Sequence, residues 1–228
     1  MTSEKPITVL LAEDHVVVRQ GLCALLSIDG HFKVVGEART GREAVKLART
    51  LRPNVILMDI GMAVLNGLEA TRQILAVNRA AKVLILSAHS DDAYVERMNS
   101  VGVAGFIEKQ SSGEILTRAI QEIAQGKTFY SPTIAKRMRD GQNRPRGLRG
   151  GLKANDAGLT SRETEVLQLV AEGSANKQIS AELGISIKTV EKHRQHLMDK
   201  LNIHDTAGLT RYAIAAGVIE CSVRLTIL

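Results

Sequence analysis

The sequence predicts a doubly wound α/β domain built on a five-stranded parallel sheet, followed by a small all-α domain of four helices. Three observations carry this reading. Over residues 1–126, short apolar runs alternate with helical spacing. Residues 158–228 keep helical spacing throughout. Between them, residues 127–157 include a Gly- and Arg-rich stretch nearly free of apolar side chains. Strands that alternate with helices make parallel sheets covered on both faces, because parallel neighbours need long crossovers.

The first strand is Ile7-Thr8-Val9-Leu10-Leu11, and its helix carries Val18, Leu22, Leu25 and Leu26. Strand two is Lys33-Val34-Val35-Gly36, followed by Ala44, Leu47, Ala48 and Leu51 at helical spacing. Val55-Ile56-Leu57-Met58 is the third strand, and Leu68, Ile74 and Leu75 mark the third helix. Val83-Leu84-Ile85-Leu86 precedes a helix marked by Val95 and Met98. Gly105-Phe106-Ile107-Glu108 precedes the helix of Ile115, Leu116, Ala119, Ile120 and Ile123. The periods assign each run.

Composition narrows the class. The 228 residues suit one large domain or two ordinary ones. They are 44% hydrophobic but 3% aromatic, without Trp, so the cores must rest on aliphatic side chains. Cys23 and Cys221 lie far apart with no metal-ligand spacing. Without a signal peptide, that usage fits a reduced cytoplasmic protein. No apolar run reaches the roughly 18 residues of a membrane span, so no membrane partner is expected.

Charge is uneven. Residues 1–135 hold 15 Lys/Arg against 14 Asp/Glu, whereas residues 136–157 hold seven against two. Residues 158–228 balance at eight each. The middle stretch therefore reads as a flexible basic linker that could add non-specific attraction to nucleic acid.

The strand ends carry the chemistry. Glu13-Asp14 follows strand one, Asp59 ends strand three, Ser87 strand four and Lys109 strand five. In open α/β sheets, ligands bind outside the carboxyl ends of the strands. A lone Asp there is usually a helix cap, and a lone Lys is usually a solvated surface group. Their concurrence on one rim is the informative feature. Three clustered carboxylates repel unless a cation neutralises them. Oxygen-only ligation suits Mg²⁺. With charge drawn off by the metal and Lys109, Asp59 can act as nucleophile on a phosphoryl donor. Ser87 and Lys109 would then hold the new oxygens, and Phe106 would turn inward as Ser87 moves.

These residues resemble the receiver domain of two-component response regulators over about residues 5–126. The resemblance rests on Glu13-Asp14, Met58-Asp59-Ile60-Gly61-Met62 with Gly67, Leu86-Ser87-Ala88, and Gly105-Phe106-Ile107-Glu108-Lys109. It implies that Asp59 accepts phosphate from a sensor histidine kinase. It implies that Glu13, Asp14, Asp59 and the Gly61 carbonyl hold Mg²⁺, and that Ser87 and Phe106 form a switch pair. Two positions depart from the family. Ala63 stands where Pro is usual, restoring an N–H and freeing φ. Phe106 stands where Tyr is frequent, so the ring persists without its hydroxyl.

In the second domain, Thr160-Ser161-Arg162-Glu163 reads as a capping box before Val166, Leu167, Leu169 and Val170. A short helix, about Asn176–Leu183, precedes a turn at Gly184 and a longer helix capped by Ser186, from Ile187 to about Leu201. A last helix starts near Asp205. Short helix, Gly turn and capped longer helix form a helix-turn-helix pattern. Lys188, Thr189, Lys192, His193, Gln195, His196 and Lys200 lie off the apolar face of the longer helix and can donate to phosphates or base edges.

The segment is similar to LuxR-type DNA-binding domains through Leu159–Glu163, Asn176–Ile179, Ala181–Leu183, Ile185-Ser186 and Lys188–His193. The whole chain thus resembles NarL/FixJ-class response regulators. That implies double-stranded DNA as a partner, with Glu191, Lys192 and Gln195 at bases and Lys177, Thr189, His193 and His196 at the backbone. It also implies a homodimer on phosphorylation, paired through Ala207–Ala216. An aspartyl phosphatase is the rival reading, but its general acid would sit two residues after Asp59, where Gly61 stands. A constitutive DNA binder conflicts with the intact site, and a pure interaction module with the helix-turn-helix pattern.

Overall fold

The computed structural model describes residues 5–28, 30–88, 101–136 and 158–219. The chain divides into two compact units, Met1–Arg149 and Gly150–Leu228.

In the first unit the elements run β1 (Ile7–Ala12), α1 (Val16–Ile28), β2 (Phe32–Ala38), α2 (Gly41–Leu51), β3 (Val55–Asp59), α3 (Gly67–Val77) and β4 (Val83–Ser87). They continue with β5 (Gly105–Glu108), α4 (Gly113–Ala124) and β6 (Phe129–Tyr130). Strand order is β2-β1-β3-β4-β5-β6, and every pairing is parallel. The chain changes direction across the sheet at β1, which lies between β2 and β3. A crevice opens at such a switch point, and Glu13, Asp14 and Asp59 sit at its rim.

Period-two alternation splits the core. Leu10, Ile56, Met58, Ile85 and Phe106 pack on one face with Ala44 and Ala48 of α2 and Ala70 and Ile74 of α3. Val9, Leu11, Leu57, Leu84 and Ile107 pack on the other with Leu26 of α1 and Leu116, Ile120 and Ile123 of α4. β3 and β4 are buried along their whole length, as strands covered on both faces must be. Of the α1 positions assigned to the core by spacing, Leu26 is fully buried but Val18 is not.

The sheet has six strands, not the predicted five. β6 has only two residues, too short for alternation to reveal. The Phe129 N–H donates to Ala104 O at 3.1 Å, and the Ser131 N–H donates to Phe106 O at 3.1 Å. Ile134 is fully buried in the core. Residues 127–136, assigned by sequence to the linker, therefore belong to the first unit. The rest of that linker, the helix expected around Val95 and Met98, and the tail from Glu220 lie outside the described residues.

The second unit has α5 (Ser161–Ala171), α6 (Asn176–Leu183), α7 (Ile187–Leu201) and α8 (Thr206–Ala215). Three of its four helix starts follow the sequence signals. Thr160 and Glu163 form the reciprocal capping box, with the Thr160 N–H donating to Glu163 Oε2 at 2.8 Å. The Thr189 N–H donates to Ser186 Oγ at 3.1 Å, and the Gly208 N–H to Asp205 Oδ1 at 2.7 Å. Gly184 closes α6 in the left-handed region, φ 62°, which glycine adopts without penalty. Val166, Leu167, Ile179, Val190, Leu197 and Leu209 are fully buried between the helices. Lys200 Nζ lies 2.7 Å from Glu163 Oε2, tying α7 to the start of α5. Among the described residues, no helix is long and apolar enough to cross a membrane.

Candidate functional site

β1, β3, β4 and β5 end side by side and deliver Glu13, Asp14, Asp59, Ser87 and Lys109 to one rim, as the strand ends predict. Glu13 and Ser87 are fully buried, and Asp59 is 1% exposed. Lys109 Nζ lies 2.9 Å from both Glu13 Oε2 and Asp59 Oδ2. The Gly61 N–H donates to Asp59 Oδ1 at 3.3 Å. The Lys109 N–H donates to the Ser87 carbonyl at 2.8 Å, locking the ends of β4 and β5 together.

Electrostatics follow from that packing. Burial raises Asp59, and the nearby Glu13 carboxylate raises it further. Lys109 and the Gly61 N–H pull back only in part, so its pKa stands at about 6 against an ordinary 3.8. Burial alone would lower Lys109, but Asp59 and Glu13 outweigh it and hold the ammonium above its ordinary value.

Glu13, Asp14 and Asp59 offer oxygens that all lie within 4.8 Å of one another. Glu13 Oε2, Asp14 Oδ1 and Asp59 Oδ2 are buried and receive no hydrogen bond of good geometry, although Lys109 lies against the first and third and His15 against the second. Three carboxylates against one ammonium leave two negative charges uncompensated. Such a set fits a hard divalent cation.

The loop after Asp59 is tightly constrained. A Cβ on Gly67 would sit 1.8 Å from the Asp59 carbonyl oxygen, so only glycine allows α3 to start there. The Gly67 N–H donates to Ile60 O at 3.0 Å. Asn66 caps α3 through the Glu69 N–H at 2.8 Å. Val64, directly after Ala63, has φ 71°. That is an outlier for a β-branched residue.

Phe106 is 1% exposed and already packed in the core. The inward turn expected on phosphorylation therefore has no outward starting point here. Its backbone pairs with Tyr130 of β6, a neighbour the sequence did not supply.

Two residues of this region escaped the sequence reading. His15 Nδ1 lies 3.0 Å from Glu13 Oε1 and 2.8 Å from Asp14 Oδ1. Its place directly after the acidic pair was the available signal. Arg19 is 5% exposed, and its Nη1 donates to the Glu13 carbonyl at 2.8 Å while its Nε donates to Glu37 Oε2 at 3.1 Å. Nothing in the sequence distinguishes it from a solvated helix arginine.

In the second unit, Lys188, Thr189, Glu191, Lys192, Gln195 and His196 line one shallow depression with Ser186. Lys177 and His193 are not among its lining residues. Gln195 Nε2 donates to Asp199 Oδ1 at 2.8 Å, and Arg194 Nη1 donates to Asn176 Oδ1 at 2.7 Å, bracing α7 against the start of α6.

Residues 9–121 match the family of response regulator receiver domains, and residues 157–213 match the bacterial regulatory proteins of the luxR family. The chain belongs to the LuxR-type two-component response regulators. The transcriptional regulatory protein DegU of Brevibacillus brevis is 33% identical to this regulator, across 96% of this chain and 97% of its own. Response regulator UvrY of Escherichia coli strain K12 is 34% identical across 93% and 95%. Among solved structures, response regulator ChrA of a heme-sensing two-component system superposes with TM-score 0.51 at 29% identity, covering 94% of this chain and 99% of that one. A LuxR-family two-component response regulator from Aurantimonas sp. SI85-9A1 gives 0.58 at 31% identity, over 60% of this chain and 99% of that one. The family makes this regulator a DNA-binding transcription factor rather than an enzyme.

Proposed function

We propose that this regulator is switched by Mg²⁺-dependent phosphorylation of Asp59 by a sensor histidine kinase, in the cytoplasm, and that phosphorylation favours a DNA-binding homodimer. The observation that carries this is the convergence of Asp59 with two further carboxylates and Lys109 at the sheet's switch point. Glu13, Asp14, Asp59 and the Gly61 carbonyl would hold Mg²⁺. When bound, the ion supplies positive charge that neutralises the carboxylates and favours approach of an anionic phosphoryl group.

The rest is done by the chain. Asp59, at a pKa of about 6, is ionised in most molecules at neutral pH. An Asp59 carboxylate oxygen attacks phosphorus, and the bond from phosphorus to the kinase imidazole breaks with its electron pair leaving on nitrogen. Lys109 Nζ, 2.9 Å from Asp59 Oδ2, stands ready to pair with a phosphoryl oxygen. Ser87 offers a hydroxyl from the neighbouring strand end. On α7, Glu191, Lys192 and Gln195 would face base edges. Lys177, Lys188, Thr189, His193 and His196 would serve the phosphate backbone.

Labelling with acetyl phosphate and Mg²⁺ should mark Asp59 alone, and Asp59→Asn or chelation of the metal should abolish the label. Uptake by Asp59→Asn at the native rate would overturn the assignment.

A further inference from the structure

The acidic rim contains one group that magnesium chemistry does not call for. His15 turns Nδ1 onto the carboxylates, 2.8 Å from Asp14 Oδ1 and 3.0 Å from Glu13 Oε1. Its own N–H donates to Glu13 Oε1 at 3.1 Å, which keeps the residue folded over the site. One ligand atom each from Glu13, Asp14, His15 and Asp59 lies within 4.8 Å of all the others. The His15 side chain is 66% exposed, so the ring is held only along its Nδ1 edge. At these distances Nδ1–H is the donor and the carboxylate oxygens accept, so a divalent cation entering among them would take that proton's place and leave the ring proton on Nε2.

That donor set is not the oxygen-only set that Mg²⁺ favours. Imidazole suits Zn²⁺, Cu²⁺, Ni²⁺ and Fe²⁺, and affinity of a mixed nitrogen and oxygen site rises along the first row toward copper. The uncompensated charge of the site is that of a divalent ion. Two of its oxygens, Glu13 Oε2 and Asp59 Oδ2, belong to side chains at most 1% exposed and lack a well-formed hydrogen bond.

We propose that His15 is a fourth ligand that lets this site take late first-row divalent cations, with Ni²⁺ and Co²⁺ as the test ions, in competition with Mg²⁺. This rests on the metal-binding reading of the rim. It adds a consequence: a transition metal would occupy the phosphorylation site through a residue that takes no part in phosphoryl transfer.

The test uses the full chain without a histidine tag, carrying His193→Ala and His196→Ala. That imidazole pair lies three residues apart on α7 and can bind Ni²⁺ itself. Calorimetric affinities for Mg²⁺ and Ni²⁺ are compared with and without His15→Ala, and Co²⁺ is followed by its visible absorption. Loss of the imidazole should weaken Ni²⁺ by at least about tenfold, the lower end of what losing even an outer-sphere partner costs. Mg²⁺ affinity should stay within about twofold, because Mg²⁺ gains little from nitrogen. The Co²⁺ bands should shift toward those of an all-oxygen ion. Ni²⁺ affinity unmoved by His15→Ala, with Mg²⁺ still bound, overturns the role of His15 and leaves the magnesium site standing. Ni²⁺ binding that depends on His15 without any Mg²⁺ binding supports the role and sinks the magnesium site. Failure of the chain to bind either ion overturns both.

Discussion

At the residue scale, Asp59 carries the largest electrostatic liability. The folded chain holds its proton up to a pKa of about 6, whereas the ordinary value is 3.8. The folded state therefore binds more protons in between. The stability this contributes is fully present below about 3.8 and is lost as pH rises through about 6. In metal-free protein, Asp59→Asn should be more stable than the native chain at neutral pH, by up to roughly 3 kcal/mol. The gain should shrink toward pH 4, and urea unfolding at both pH values reads it. An equal gain at the two would rule out buried charge as the cause. Val64 is a second liability. A branched side chain at φ 71° is strained by roughly 1–2 kcal/mol. Val64→Asn should raise the unfolding midpoint by about 1 kcal/mol in equivalent stability, because Asn tolerates that region. An unchanged or lower midpoint would mean that packing of the valine outweighs its backbone cost.

At the element scale, α7 is the part whose role is most open to mutation. Lys192 lines the depression along the helix and Lys177 does not. If α7 reads the major groove, Lys192→Ala should cost roughly 1–3 kcal/mol on a cognate site and relax preference at one base. Lys177→Ala should weaken all sequences alike and reduce the salt slope by about one. Titrations on cognate and random duplexes at several salt concentrations separate the two. Identical behaviour of both mutants would move the reader elsewhere. The elements themselves were legible to different degrees. α5 and α7 start where Thr160 and Ser186 announce them, because a cap is a local hydrogen bond between near neighbours. The strand ends were legible because Asp59, Ser87 and Lys109 each break an apolar run. β6 was not, since two residues carry no period, and its place in the sheet depends on Gly105. A Cβ there would meet the Phe129 carbonyl at 2.5 Å. Arg19 was not legible either, because its reach to Glu37 is set by how α1 folds back over β1, whereas His15 could have been read from its place beside Glu13 and Asp14.

At the scale of the whole molecule, the proposed phosphorylation of Asp59 would act only by shifting a population. Moving a balance from about 1:99 to 99:1 needs roughly 5.5 kcal/mol of differential stabilisation. A charge-assisted hydrogen bond from Ser87 supplies about 1.5–3 kcal/mol of that, so Lys109 and repacking must add the remainder. Ser87→Ala should therefore leave labelling of Asp59 largely intact while reducing phosphate-stimulated dimerisation and DNA binding. Sedimentation and gel shift with and without acetyl phosphate would show it, and undiminished stimulation would remove Ser87 as the relay.

The buried ring of Phe106 bears on how faithfully such a device reports. A receiver whose aromatic is already seated in the core has no outward ring to serve as a latch. On the proposed dimerisation mechanism, its background output would be set by how weakly two unmodified copies associate, and its dynamic range would narrow as the protein accumulates. In a cell, the gain of this pathway would depend on copy number as much as on stimulus. A reporter built on it would need its expression level tuned before its signal could be trusted.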